Sequence, residues 1–282
     1  MNEFFEILKS VFFGIVEGIT EWLPVSSTGH LILFEEFFKF GFGDDYWNMY
    51  SVVIQLGAIL AVVILFFGKL NPFSKVKAAE EKKSTWQLWI KILIATVPAA
   101  VAGLVLDDLM DKYLYNAWVV AIALIAYGVA YIFIERRYNS RNEQFKINSV
   151  EEITYKDAVR IGCFQMLALV PGTSRSGSTI LGAMLVKTKR EVAAEFSFFM
   201  AIPVMLGASA LKLFKFLMDG NQMSGQEIGI LLVASVVAFV VSMLTIKMLM
   251  AFVKKHSFEF FGIYRIVLGF IVLAYFAIKL LV

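Results

Sequence analysis

The stretch EGITEWLPVSSTGH, Glu17 to His30, sets two glutamates, a run of hydroxyls and a histidine where apolar residues dominate on both sides. A second stretch, VPGTSRSG from Val170 to Gly177, repeats the combination of Pro, Gly and hydroxyls and adds an arginine. Pro and Gly break both apolar runs. Inside a bilayer, such non-helical backbone is tolerated only where protein or a water-filled cavity surrounds it. How these two breaks are held therefore decides the fold.

The rest of the chain supplies the bilayer context. Of 282 residues 59% are hydrophobic and 17% charged, with a mean hydropathy of +0.74, whereas a soluble domain carries about a quarter charged residues. Six blocks are nearly free of charge: Trp47–Phe67, Trp86–Leu106, Ala117–Ile134, Phe196–Leu217, Ile228–Val253 and Phe260–Val282. Each reaches the roughly 18 residues at which a helix crosses a hydrocarbon core of about 30 Å. The chain reads as an all-α polytopic integral membrane protein; a soluble fold would have to bury all six blocks in one small core. There is no basic–aromatic patch of the nucleic-acid-binding kind, so no nucleic-acid partner is expected. Cys163 is the single cysteine, which rules out an internal disulfide, and its apolar surroundings predict a small buried residue. The N-terminus lacks a basic region and a cleavage site, so Phe4–Val16 is expected to persist.

Four shorter apolar pieces, about Phe4–Thr20, Val25–Phe38, Tyr155–Val170 and Ser176–Val186, form two pairs, each interrupted by one of the breaks. Aligning Pro24 with Pro171 sets Ser26-Ser27 over Thr173-Ser174 and makes the order identical on both sides: a short pair, then three spans. About ten helical segments in one membrane domain thus divide into two halves. Residues 1–140 hold a hairpin over 4–38 and spans over 47–67, 86–106 and 117–134. Residues 141–282 hold a hairpin over 155–186 and spans over 196–217, 228–253 and 260–282. With an odd number of spans per half and re-entrant hairpins, the second half enters the membrane inverted.

Charge supports this threading. Lys75, Lys77, Lys82, Lys83, Arg136, Arg137, Arg141, Lys146, Lys187, Lys189, Arg190, Lys254 and Lys255 all fall on one side. Asp44, Asp45, Asp107, Asp108, Asp111 and Asp219 fall on the other, with Lys112 the main exception. By the positive-inside rule the basic side is cytoplasmic and both termini face outward. The first hairpin then dips in from outside and the second from inside, and their tips meet near the midplane, a recurrent way of building a polar site in a bilayer.

Glu17 and Glu21 are spaced i, i+4, so their carboxylates share one helix face. A buried carboxylate is costly unless paired or metal-bound, so a cation should share the site. Ser26, Ser27, Thr28 and Gly29 offer hydroxyls and a close backbone approach at a helix N-terminus, which favours an anion; alone they could be an ordinary cap. His30 could relay protons or act as a nucleophile, whereas His256, beside Lys254 and Lys255, reads as solvated and idle. Arg175, inside Gly172-Thr173-Ser174-Arg175-Ser176-Gly177, suits bidentate capture of phosphate oxygens, and it could also neutralise Glu17 or Glu21 at rest. Two carboxylates, an arginine, a histidine, hydroxyls and two helix N-termini predict a site for a multiply charged phosphate with a divalent cation, Mg²⁺ or Ca²⁺.

These paired motifs, in this order and over essentially the whole chain, resemble the undecaprenyl-diphosphate phosphatases, the bacitracin-resistance family. The resemblance implies removal of the terminal phosphate of a polyprenyl diphosphate, recycling the lipid carrier for cell-wall synthesis. It further implies a divalent-metal requirement and a site open to the outer face of the bacterial cytoplasmic membrane. Carried over, the family's glutamates fall on Glu17 and Glu21, its hydroxyl nucleophile candidate on Ser27, its histidine on His30 and its arginine on Arg175, beside Ser174. The resulting mechanism has Arg175 and a metal held by Glu17 or Glu21 clamp the diphosphate while Ser27 attacks, with Glu21 or His30 as base. Direct attack by His30 or a metal-bound water is the alternative. Type-2 phosphatidic acid phosphatases share echoes of SSTGH and SR but need a second histidine soon after the Ser-Arg, where this chain reads SGSTILGAML. A transporter of phosphorylated lipid would suit the same inverted fold, though it needs no nucleophile beside an acid–base pair.

Overall fold

The computed structural model describes residues 3–114, 116–140 and 145–281; Arg141, Val282 and the side chains of Asp107, Asp108, Asp111 and Lys112 lie outside the described residues. A broken pair, α1 (Glu3–Thr20) and α2 (Ser27–Glu35), leads into α3 (Asp44–Val53), α4 (Gln55–Leu65) and the single turn α5 (Phe67–Leu70). Then come α6 (Ala79–Tyr113) and α7 (Ala117–Ser140). A second broken pair, α8 (Tyr155–Gln165) and α9 (Arg175–Leu185), precedes α10 (Arg190–Met218), α11 (Gly225–Val253) and α12 (Glu259–Leu281). Among the described residues, six helical stretches are long and apolar enough to cross a membrane: 44–65, 79–106, 117–138, 190–218, 225–253 and 259–280.

Among the described residues every expected span is thus helical, and several helices run on past their apolar blocks. Helix α6 starts at Ala79, where the Glu81 side chain accepts from the Ala78 N–H at 2.9 Å, and continues to Tyr113. A helix does not end where the hydrocarbon does, because its polar continuation is comfortable among headgroups. Helices α3 and α4 act as one span, since Ile54 between them keeps helical dihedrals (φ −58°, ψ −24°).

The helices pack in the directions that inverted threading requires. Helix α1 runs parallel to α11: Gly14 lies against the Ala234 carbonyl and Gly18 against that of Ala238. Helix α8 runs parallel to α6, with Gly162 on the Ala95 carbonyl and Leu169 beside Gly103. Helices α7 and α12 run antiparallel, Gly128 meeting Gly262 and Ala121 meeting Gly269. Each hairpin therefore leans on the second span of the opposite half, through glycines that let backbones approach closely. Lys69, Ser149, Glu191 and Lys254 border one surface hollow, so the basic connections gather at one end.

One pair of helix contacts breaks the symmetry between the halves. Gly57 of α4 is pressed so closely on α11 that a Cβ there would collide with the Ser235 carbonyl. The sequence Leu56-Gly57-Ala58 recurs on α10 as Leu206-Gly207-Ala208, yet a Cβ at Gly207 would meet nothing within 4 Å. The repeated helix pair is closed between α4 and α11 and open between α10 and α6.

Cys163 departs from expectation: it is exposed on α8, not buried. An apolar setting signals burial only in water; in a bilayer the outward face of a helix is apolar too. His256 is exposed, its ring stacked on Phe252 at 4.7 Å.

Candidate functional site

Both breaks are built alike. Ser26 caps α2 with φ 75° and Ser174 caps α9 with φ 74°, and each side-chain oxygen accepts from the N–H three residues on, Gly29 at 3.2 Å and Gly177 at 3.1 Å. Non-glycine residues at such dihedrals cost about 1–3 kcal/mol and persist where surrounding structure over-determines them, often at functional sites. The matching caps correct the repeat register by one residue: Ser26 answers Ser174, not Thr173, and Ser27 answers Arg175. Gly172, with φ 90° and no room for a Cβ beside the Val120 carbonyl, is the residue that puts the two prolines out of step.

Arg265 of α12 ties the two tips together. It is 0% exposed, and its guanidinium donates to Pro24 O (3.2 Å), Gly172 O (2.8 Å) and Thr173 O (2.8 Å). The sequence reading passed it over, although a lone arginine in the apolar run FFGIYRIVLGF is a functional signal in its own right.

Between the tips and the gap separating α6 from α10 lies a cavity of about 480 Å³. Glu21, Ser27, Thr28, Gly172, Ser174 and Arg175 stand in its wall. The Ser27 hydroxyl donates to Glu21 Oε2 at 2.6 Å. The Arg175 fork holds the other oxygen, Nη2 at 3.0 Å and Nε at 3.3 Å from Glu21 Oε1, while Nη1 donates to Ser197 O at 2.9 Å. The Trp22 ring lies 6.0 Å below the guanidinium. A nucleophile candidate, a base and an anion-binding fork are thus joined through one carboxylate. The remaining wall is mainly apolar, formed by residues such as Ala99, Gly103, Leu104, Val204 and Leu211 with Gln55, Thr96 and Gln165 among them, and it reaches outward to Leu104, which is 71% exposed. Residues 99–104 and 203–211 lie in the halves of α6 and α10 remote from the basic loops, so the cavity extends toward that end.

The other expected residues surround this group without facing the cavity. The His30 ring has both nitrogens engaged, Nδ1 with Ser26 O and Nε2 with the Tyr264 hydroxyl, each at 2.7 Å. Ser176 donates to Glu21 O at 3.0 Å and so supports the end of α1. Gly29 and Ser26 complete the cap, and the Thr173 hydroxyl is buried and has no hydrogen-bond partner. Glu17 is 0% exposed and neither of its carboxyl oxygens makes a well-formed hydrogen bond, while the Glu21 carboxyl and Arg175 stand within electrostatic reach. Such an orphaned carboxylate is the donor a hard divalent cation takes, and phosphate oxygens commonly complete its shell. Glu17 fits that role, with Glu21 beside it; among the described residues no three His, Cys, Asp or Glu side chains cluster to form a cage. Sequence reading also missed Tyr264, Gln55 and Gln165, the latter two in the cavity wall.

The family described as bacitracin resistance protein BacA matches residues 10–271. An undecaprenyl-diphosphatase of Enterococcus faecalis is 56% identical over 272 residues, covering 96% of this chain and 98% of its own. One from Streptococcus thermophilus is 54% identical over 276 residues (98% and 95%), and undecaprenyl-diphosphatase 1 of Clostridioides difficile is 56% identical over 271 residues (96% of each).

Proposed function

The chain belongs to the bacitracin resistance protein BacA family, and on that premise we propose that it removes the terminal phosphate of undecaprenyl diphosphate. The products are undecaprenyl phosphate and inorganic phosphate, so the reaction recycles the lipid carrier for peptidoglycan synthesis and confers resistance to bacitracin. It is a phosphatase acting on a phosphoric anhydride, embedded in the membrane as a multi-pass protein. The observation that carries the reading is the Ser27–Glu21–Arg175 constellation at the polar end of an apolar cavity, which matches a lipid diphosphate in both its parts.

Phosphoryl transfer needs alignment and charge neutralisation more than covalent help. Arg175 shares its fork between Glu21 and the incoming diphosphate, and the N–H groups at the starts of α2 and α9 face the same anion. Ser27 Oγ attacks the terminal phosphorus and its proton passes along the 2.6 Å bond to Glu21 Oε2. The bond from phosphorus to the bridging oxygen breaks, releasing the lipid monophosphate, and Glu21 returns its proton to that leaving oxygen. Glu21, ionised again, takes a proton from a water that attacks the phosphoserine, and as the P–Oγ bond breaks it passes that proton to Ser27 Oγ, freeing phosphate and restoring the Ser27 hydroxyl and the Glu21 carboxylate. Glu21 is favoured over His30 as base because both His30 nitrogens are engaged elsewhere. His30 orients the α2 cap, and Ser26, Thr28, Gly29, Gly172, Thr173, Ser174 and Ser176 shape the phosphate pocket.

Mg²⁺ or Ca²⁺ held by Glu17, with Glu21 alongside, would supply further neutralisation of the phosphate charge. The protein resides in the bacterial cytoplasmic membrane with both termini and the cavity mouth outward. The basic loops at the opposite end support that orientation. The test is phosphate release from farnesyl or undecaprenyl diphosphate by protein purified in detergent, with Mg²⁺, Ca²⁺ or EDTA, for wild type and Arg175→Ala. Metal-dependent release that collapses in the variant is expected. No release from folded wild-type protein with any metal would overturn the phosphatase reading and leave lipid-phosphate transport to be tested.

A further inference from the structure

The corrected repeat register pairs more than the two serine caps. Gly14 and Gly162 take the same role, each laying its helix on a backbone carbonyl of the opposite half, and Ser26 and Ser174 cap the following helices. Between these anchors the two halves align without a gap, and Glu17 then falls on Gln165. Both positions share an unusual property: Glu17 is 0% and Gln165 2% exposed, and no terminal oxygen or nitrogen of either side chain has a hydrogen-bond partner. A buried, unsatisfied carboxamide costs stability, and native proteins retain few of them. Gln165 stands at the end of α8, in the wall of the same cavity as Ser27, Glu21 and Arg175.

We infer that Gln165 is a substrate-contacting residue whose carboxamide N–H groups bind the phosphate chain of the lipid diphosphate in that cavity. The inference rests on the phosphatase reading and names a specificity group within it. The two halves divide the work by charge. The carboxylate copy, Glu17, suits a cation, while the neutral copy, Gln165, offers two donors to the anion without repelling it. Its terminal atoms are shielded from water at rest, so the contact forms as the diphosphate arrives and the side chain turns toward it. Arg175 has three of its five N–H donors engaged by Glu21 and Ser197 at rest, whereas the Gln165 carboxamide is a buried donor with no hydrogen bond to release before it can bind.

The test compares wild type, Gln165→Met and Gln165→Leu in detergent, with farnesyl diphosphate and Mg²⁺ as probe, reading kcat, KM and Tm. Methionine keeps the length of glutamine without the donors, so packing is retained and an unsatisfied polar group is removed. The expected result is an unchanged or higher Tm with kcat/KM reduced about 10- to 100-fold, carried mainly by KM, as for loss of a hydrogen bond to a charged group. Wild-type kcat/KM in both variants, or losses that merely follow a fall in Tm, would overturn the inference while leaving the phosphatase reading intact. Absence of phosphate release from the wild type in the same assay would instead overturn that reading, and the role of Gln165 with it.

Discussion

Replacing Arg265 with methionine separates the stability of this fold from the geometry of its site. The guanidinium makes three hydrogen bonds to carbonyls on both loop tips, at 3.2, 2.8 and 2.8 Å. Leaving a buried carbonyl unsatisfied costs about 1–3 kcal/mol, so the gross penalty is roughly 3–9 kcal/mol. Against it stands the desolvation of a fully buried guanidinium, itself several kcal/mol, which the variant no longer bears. The two largely cancel, and the variant should fold with a Tm within several degrees of wild type. Activity has no such compensation. With the tips untied, Ser27 on one and Arg175 on the other lose their common frame, and a misplacement of about 1 Å costs on the order of 100-fold in rate. Phosphate release from farnesyl diphosphate at saturating Mg²⁺ should therefore fall by about two orders of magnitude in Arg265→Met. Arg265→Lys, which keeps the charge but not the planar fork, should fall by about tenfold. If Arg265→Met releases phosphate within threefold of wild type, the two tips are held by packing alone and the reasoning fails.

Glu21→Gln retains an acceptor for Ser27 but loses the base; release should drop about 10²- to 10⁴-fold, and a loss below tenfold would point to another proton acceptor. Glu17→Gln replaces a fully buried carboxyl with a neutral group of the same shape, so its Tm should hold or rise. Its half-saturating Mg²⁺ concentration should climb by roughly tenfold or more, and an unchanged metal titration would move the cation elsewhere. A Cβ at position 57 strikes backbone whereas one at position 207 meets open space. Gly57→Ala should thus lose about 1–3 kcal/mol of stability and Gly207→Ala almost none, which thermal melts in detergent can compare directly.

Length, hydropathy and the placement of Lys and Arg determined the spans, their number, the inverted halves and the hairpins by themselves. These depend only on what a bilayer tolerates along one chain: apolar runs of sufficient length, and broken helices only where something else covers them. The residue types in the two breaks likewise pointed to a phosphate site and to the cation proposed for it, because an arginine and paired carboxylates have few other reasons to sit in such a setting. Three things were decided by tertiary structure alone. The repeat register needed the Ser26 and Ser174 dihedrals, since the prolines that align by eye are displaced by Gly172. The hydrogen-bond partner of Ser27 needed the folded arrangement, because Glu21 and His30 are both near in sequence and only their side-chain directions separate them. Arg265 and Gln165 lie far along the chain from the motif at Glu17–His30, and only the folding of α8 and α12 around the loop tips brings them to the site. Burial resisted sequence reading most, as Cys163 shows: with lipid outside and protein inside both apolar, hydrophobicity cannot tell which way a helix face turns.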